Sequence, residues 1–205
     1  MTMLHELGHN LGLGHAYEDN IPYSDMSTVM GYSHRNVKKM CYNGQNYWAL
    51  GWFPDRSYEV MLSNNKNSRE LVDLAFYGDY HKTNVFQPVV LKYNDIYMTF
   101  NLQRGLNAET KEYPNTLLVV QELPGEYHYH TNLEVALSVG DEPYQMTFDT
   151  GNKNNNKSDR IFIEVCSHTM GSFETPEYLS ISVGRTAGGC RSSLVTVSRN
   201  VDSNP

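Results

Sequence analysis

Apolar residues recur at helical spacing at the start of the chain. Leu4, Leu7 and Leu11 fall on one face, with Met3 on the same side. This pattern predicts a helix over the first 16 residues, broken where Gly12 and Gly14 interrupt it. Residues 17–35 carry Asp19, Asn20, Pro22, Ser24, Asp25, Ser27, Gly31 and Ser33, a turn-rich run. A second short helix fits residues 43–50, with Asn43 as its N-cap and Gly51 as the left-handed residue that ends it. Trp48 and Trp52 could stack on one side of that helix, as ordinary packing.

From about residue 57 the texture changes. Short runs rich in Val, Ile, Tyr, Phe and Thr alternate with Gly, Asn, Asp and Pro. Strands are predicted at residues 58–62, 71–76, 86–92, 96–102, 116–122, 133–138, 144–148, 161–165, 179–183 and 194–197. The segments 161–165 and 179–183 alternate with a period of two, as half-buried strands do. Many short strands at this spacing predict an antiparallel β-sandwich over residues 57–205, preceded by a helix-containing unit over residues 1–56. The fold class is therefore α+β. The Asn-rich stretches 64–67 and 152–156 read as surface loops.

Composition narrows the function classes. Among the 205 residues, 12% are aromatic, which argues against a chain disordered throughout. The net charge of −7 excludes the basic stripe of a nucleic-acid binder. No apolar run approaches the ~20 residues of a membrane-spanning helix. Only Met1-Thr2-Met3-Leu4 precede His5, with neither the basic nor the apolar region of a secretory signal peptide. The three cysteines are Cys41, Cys166 and Cys190. Cys166 and Cys190 could bridge in the C-terminal part. Cys41 is then either a buried free thiol or paired with something upstream, and both readings stay open.

The chemistry is concentrated in residues 5–15, His-Glu-Leu-Gly-His-Asn-Leu-Gly-Leu-Gly-His. A helix places His5 and His9 one turn apart on one face, where two imidazoles can grip one cation, and imidazole suits zinc. Gly12 allows a sharp turn that returns His15 as a third ligand. Three protein ligands leave a position for water, which marks a catalytic rather than a structural zinc site. Glu6, directly after the first ligand, is placed to act as general base. Zinc would lower the pKa of the water to ~7 and polarise a scissile carbonyl.

The pattern H-E-x-x-H-x-x-G-x-x-H resembles the zinc signature of the metzincin metalloendopeptidases. Ser27-Thr28-Val29-Met30-Gly31-Tyr32, fifteen residues downstream of His15 at Met30, is similar to their methionine-containing turn. The resemblance implies that Met30 packs beneath the ligand histidines and that Tyr32 contacts the metal or the reaction oxyanion. An ordinary buried tyrosine is the competing reading of Tyr32. Within that clan the chain is most similar to the gametolysin-type, algal cell-wall lytic proteases. The tokens are residues 11–16, the turn from Tyr23 to Tyr32 with Asp25, and residues 46–52. The resemblance is strong only over residues 1–53.

The resemblance carries further expectations. Residues 1–56 would be the lower part of a metzincin catalytic domain, with the upper subdomain, propeptide and signal peptide of a longer secreted protease lying upstream. The face of Leu4, Leu7 and Leu11 would then be poorly covered. The substrates implied are proteins or glycoproteins of a cell wall or extracellular matrix, with neither a nucleic-acid partner nor a membrane span. A second function class is a matrix- or wall-binding β-module that carries an impaired zinc site. Elsewhere, His128 and His130 form an H-x-H that on a strand could hold a metal, although a solvated hairpin beside Gly125 is the preferred reading. His34, His81 and His168 have no companions in the sequence and read as surface residues. Asn156-Lys157-Ser158 is an N-glycosylation sequon.

Overall fold

The computed structural model describes residues 2–32, 37–82, 87–125, 129–149 and 158–190. His34, His128, the Asn-rich run 152–156, the predicted strand 194–197 and most of the sequon lie outside them.

Helix α1 spans Thr2–Asn10, shorter than the leucine spacing predicts, and strand β1 follows at Leu13–Glu18. The reason is local. Gly12 sits at φ 85°, where the chain turns out of the helix, and the next residues find a sheet edge to pair with. A two-residue strand, β2 (Ile21–Pro22), folds back on β1. Helix α2 (Gly44–Ala49) is capped as expected: the Asn43 side chain accepts the Asn46 backbone N–H, and Gly51 takes φ 65°. The two tryptophans do not stack on each other. Trp48 faces Tyr97, whereas Trp52 packs against Tyr42 and Tyr47.

The remaining strands are β3 (Ser57–Glu59), β4 (Arg69–Ala75), β5 (Val90–Tyr93), β6 (Ile96–Asn101), β7 (Thr116–Leu123), β8 (Tyr129–Leu137), β9 (Tyr144–Asp149), β10 (Ser158–Thr169) and β11 (Tyr178–Gly184). They build a seven-stranded sheet, ordered β2-β1-β8-β7-β6-β5-β3, and a four-stranded sheet, ordered β4-β11-β10-β9. The small sheet is antiparallel throughout. The large one is mixed, not purely antiparallel as expected, because β1 pairs with β8 and β3 with β5 in parallel. The members of each parallel pair are separated in the chain by other strands, so no hairpin forces them to run antiparallel.

One core joins the two sheets. On β6, Ile96, Met98 and Phe100 point into the cluster that also holds Leu74, Ile161, Ile163, Ile181 and Val183 of the small sheet. The alternate residue Tyr97 joins Leu118, Val120 and Leu133 on the opposite face, where Trp48 of α2 packs. Each such large side chain contributes about 1.5–3 kcal/mol on burial. Leu13, Ala16 and Met30 belong to the same core as the sandwich strands. Sheet and core therefore both run across position 56/57, where the sequence pattern puts a boundary.

Cys166 and Cys190 are bridged, with Cα atoms 4.9 Å apart, and Cys41 is a free thiol. The Glu164 carboxylate receives the Gly189 backbone N–H at 2.9 Å beside the bridge. His168 is not the isolated surface residue expected. Its Nε2 donates to Glu177 at 2.8 Å, and Glu177 also takes Arg104. His81 is exposed. Met3, Leu4, Leu7 and Leu11 are exposed by 84%, 42%, 46% and 47%, so the leucine face of α1 is poorly covered, as expected.

Candidate metal centre

The centre is assembled by three short pieces of chain: α1, the start of β1 and the turn around Met30. Helical spacing brings the His5 and His9 rings to 4.8 Å, centre to centre. Each ring has its Nδ1 committed. His5 Nδ1 donates to the Val29 carbonyl at 2.9 Å, and His9 Nδ1 donates to the Leu13 carbonyl at 2.9 Å. A carbonyl oxygen only accepts, so in the neutral imidazole the Nδ1 carries the proton and Nε2 exposes its lone pair. Backbone carbonyls that fix the tautomer in this way are characteristic outer partners of metal-binding histidines.

His15 arrives from the other side of the Gly12 turn, and its Nε2 lies 3.1 Å from His9 Nε2. One ring nitrogen from each of His5, His9 and His15 falls within 4.8 Å of the others. Two nitrogens held ~2.0–2.1 Å from a tetrahedral zinc stand about 3.3 Å apart, close to the spacing of the His9 and His15 pair. The donor set is all imidazole, the chemistry that zinc accepts. The residues present therefore fit a three-histidine zinc site.

Met30 forms the floor. It is fully buried, and its carbonyl accepts the Ala16 backbone N–H at 2.9 Å. A β-carbon placed on Gly8 would lie 2.5 Å from the Met30 sulfur, so α1 rests directly on this side chain. The Tyr42 hydroxyl ties the helix down by donating to the Leu4 carbonyl at 2.8 Å.

Glu6 is exposed and lines a cavity of about 370 Å³ together with His5, His9, His15, Tyr23, Gly31 and Tyr32. Tyr32 is 59% exposed, so it is a wall of the open pocket and not a buried tyrosine. Its backbone N–H donates to the Tyr23 carbonyl at 2.7 Å. Asp25, in the same turn, is completely buried. Its Oδ1 accepts the backbone N–H and the hydroxyl of Ser27, and burial pushes its carboxyl up to about 7.

Two neighbours of the centre escape the sequence reading. The Tyr23 ring centre is 3.9 Å from that of His15, and Tyr23 adopts φ 67°, a conformation that bulky residues rarely take. Only its place in a turn-rich run hinted at it. His130 does lie at the end of the β7–β8 hairpin, opposite Leu123, but it is half-buried and not solvated. Its Nδ1 accepts the His15 backbone N–H at 3.0 Å. The H-x-H spacing is the signal that points to it, although the preferred reading of that spacing is a solvated hairpin and not a metal pair; His128 lies outside the described residues.

No curated protein and no solved structure matches the chain. Residues 1–78 match the family model described as gametolysin peptidase M11. This match supports a gametolysin-type family of metallopeptidases for the part of the chain that carries the three histidines, Glu6 and Met30.

Proposed function

We propose that the protein is a zinc-dependent endopeptidase of metzincin type. The observation that carries this reading is the committed Nδ1 of both His5 and His9, which leaves two lone pairs directed with His15 toward one point beside Glu6. Zinc held by these three imidazoles would polarise the scissile carbonyl and acidify a water molecule. Glu6 takes the proton from the attacking water and returns it to the leaving amine. The Tyr32 hydroxyl, on the pocket wall, donates to the oxygen that gains negative charge. His5 and His9 are held by their backbone carbonyls, and Met30 supports the helix beneath them.

The substrates in this reading are proteins or glycoproteins of a cell wall or extracellular matrix, and the protein is secreted. The Cys166–Cys190 bridge fits an oxidising compartment. Among the described residues no helix is long and apolar enough to cross a membrane. The test is hydrolysis of a quenched-fluorescent peptide library by the zinc-loaded protein and by its Glu6→Gln variant. The variant should keep zinc and lose about 10²–10⁴-fold in turnover. Equal turnover in both proteins would refute the role of Glu6.

A further inference from the structure

We infer that His130 is a positioning residue for the third ligand: its imidazole replaces a rung of the sheet ladder and thereby sets the direction of His15. The inference rests on the zinc reading of the three histidines.

The parallel pairing of β1 with β8 is irregular at this point. Leu13 pairs with Tyr129 and Ala16 with Thr131, so Gly14 and His15 together face the single residue His130. Such a bulge bends the strand and re-aims a side chain. At this irregular point of the ladder the His15 N–H donates to His130 Nδ1 at 3.0 Å.

The space for this ring is made by Gly14. A β-carbon at that position would lie 2.5 Å from His130 Nδ1 and 2.8 Å from Cγ. The ring therefore lies directly against the backbone of residue 14. Tyr17 holds it from another side, edge to face, with ring centres 5.6 Å apart. Its centre is 6.0 Å from that of His15 and the two ring planes are tilted by 54°, so the rings do not pack face to face. His130 thus acts on the backbone of the ligand residue rather than on its imidazole. Its neutral form keeps Nδ1 free to accept, with the proton on Nε2.

The experiment compares zinc affinity, by competition with a chromophoric chelator, for the full chain and for His130→Ala, His130→Asn and His130→Phe. Circular dichroism and thermal melts of the metal-free proteins are run in parallel. His130→Ala should weaken zinc about 10–100-fold, the usual effect of losing an outer partner. His130→Asn, whose Oδ1 can accept the same N–H, should recover to within a few-fold of the parent. His130→Phe, which fills the space without an acceptor, should not. If His130→Ala fails to fold, the contrast between Asn and Phe decides the matter. Parent-like affinity in His130→Ala, or equal affinities for Asn and Phe, would overturn the role of His130 alone. A parent protein that binds no zinc would refute the underlying reading and this one with it.

Discussion

His5 donates a hydrogen bond from its Nδ1–H to the carbonyl of Val29, 24 positions further along the chain and next to Met30. One hydrogen bond thus couples the helix that bears His5 and His9 to the turn that supports it. The same turn is joined to the strand of His15, because the Met30 carbonyl takes the Ala16 N–H at 2.9 Å. The placement of the three histidines and the packing of Met30 are therefore linked in the fold.

This coupling makes Met30→Ala costly in two ways. Removing a fully buried methionine beneath Gly8 leaves a cavity, and such losses cost about 2–5 kcal/mol. Denaturant unfolding of the metal-free protein should show that loss, and zinc affinity should fall with it. Met30→Leu conserves volume and should cost under about 1.5 kcal/mol. An alanine variant with unchanged stability would mean that the helix does not rest on this side chain.

Asp25 predicts a pH dependence with a definite sign. Burial raises its carboxyl from 3.8 to about 7, and the nearby charges of Glu18 and Glu112 act in the same direction. The folded state therefore holds a proton that the unfolded state releases between these values. Its contribution is complete below pH ~4 and is lost as pH rises through about 7. Stability measured from pH 4 to 8 should show this decline, and Asp25→Asn should flatten it. A parent profile that rises across the window would contradict the assignment.

Tyr32 separates a catalytic hydroxyl from a mere pocket wall. The ring of Tyr32→Phe still lines the cavity, and the backbone bond to Tyr23 is untouched. Losing a donor to the developing charge should lower kcat by about 10²–10³ while zinc affinity and KM stay near parent values. A change in KM alone would place Tyr32 in substrate binding.

The clustering of the three histidines is legible in the sequence because each depends on local geometry. The spacing of His5 and His9 is a helical turn, and the Gly12 turn is short-range. Asn43 and Gly51 announced α2 for the same reason. What the sequence did not disclose were relations between distant segments. The leucine spacing carried the predicted helix past Asn10, whereas β1 forms because β8 offers it a partner more than 100 positions away. That pairing also made the large sheet mixed. The contact of His130 with the His15 backbone is hidden for the same reason, since it appears only once the register of β1 against β8 is known. The small sheet was easier to read, because the period-two alternation of residues 161–165 and 179–183 survives in strands with one face in the core.

On the zinc reading, His5, His9 and His15 bind one zinc ion through ring nitrogens that lie within 4.8 Å of one another. X-ray absorption at the zinc edge of the reconstituted full chain tests it most directly, together with metal content per chain. One equivalent of zinc with three imidazole nitrogens at ~2.0–2.1 Å is expected, with loss of that signature in His15→Ala. A protein that takes up no stoichiometric zinc, or whose spectrum is unchanged in His15→Ala, would contradict it.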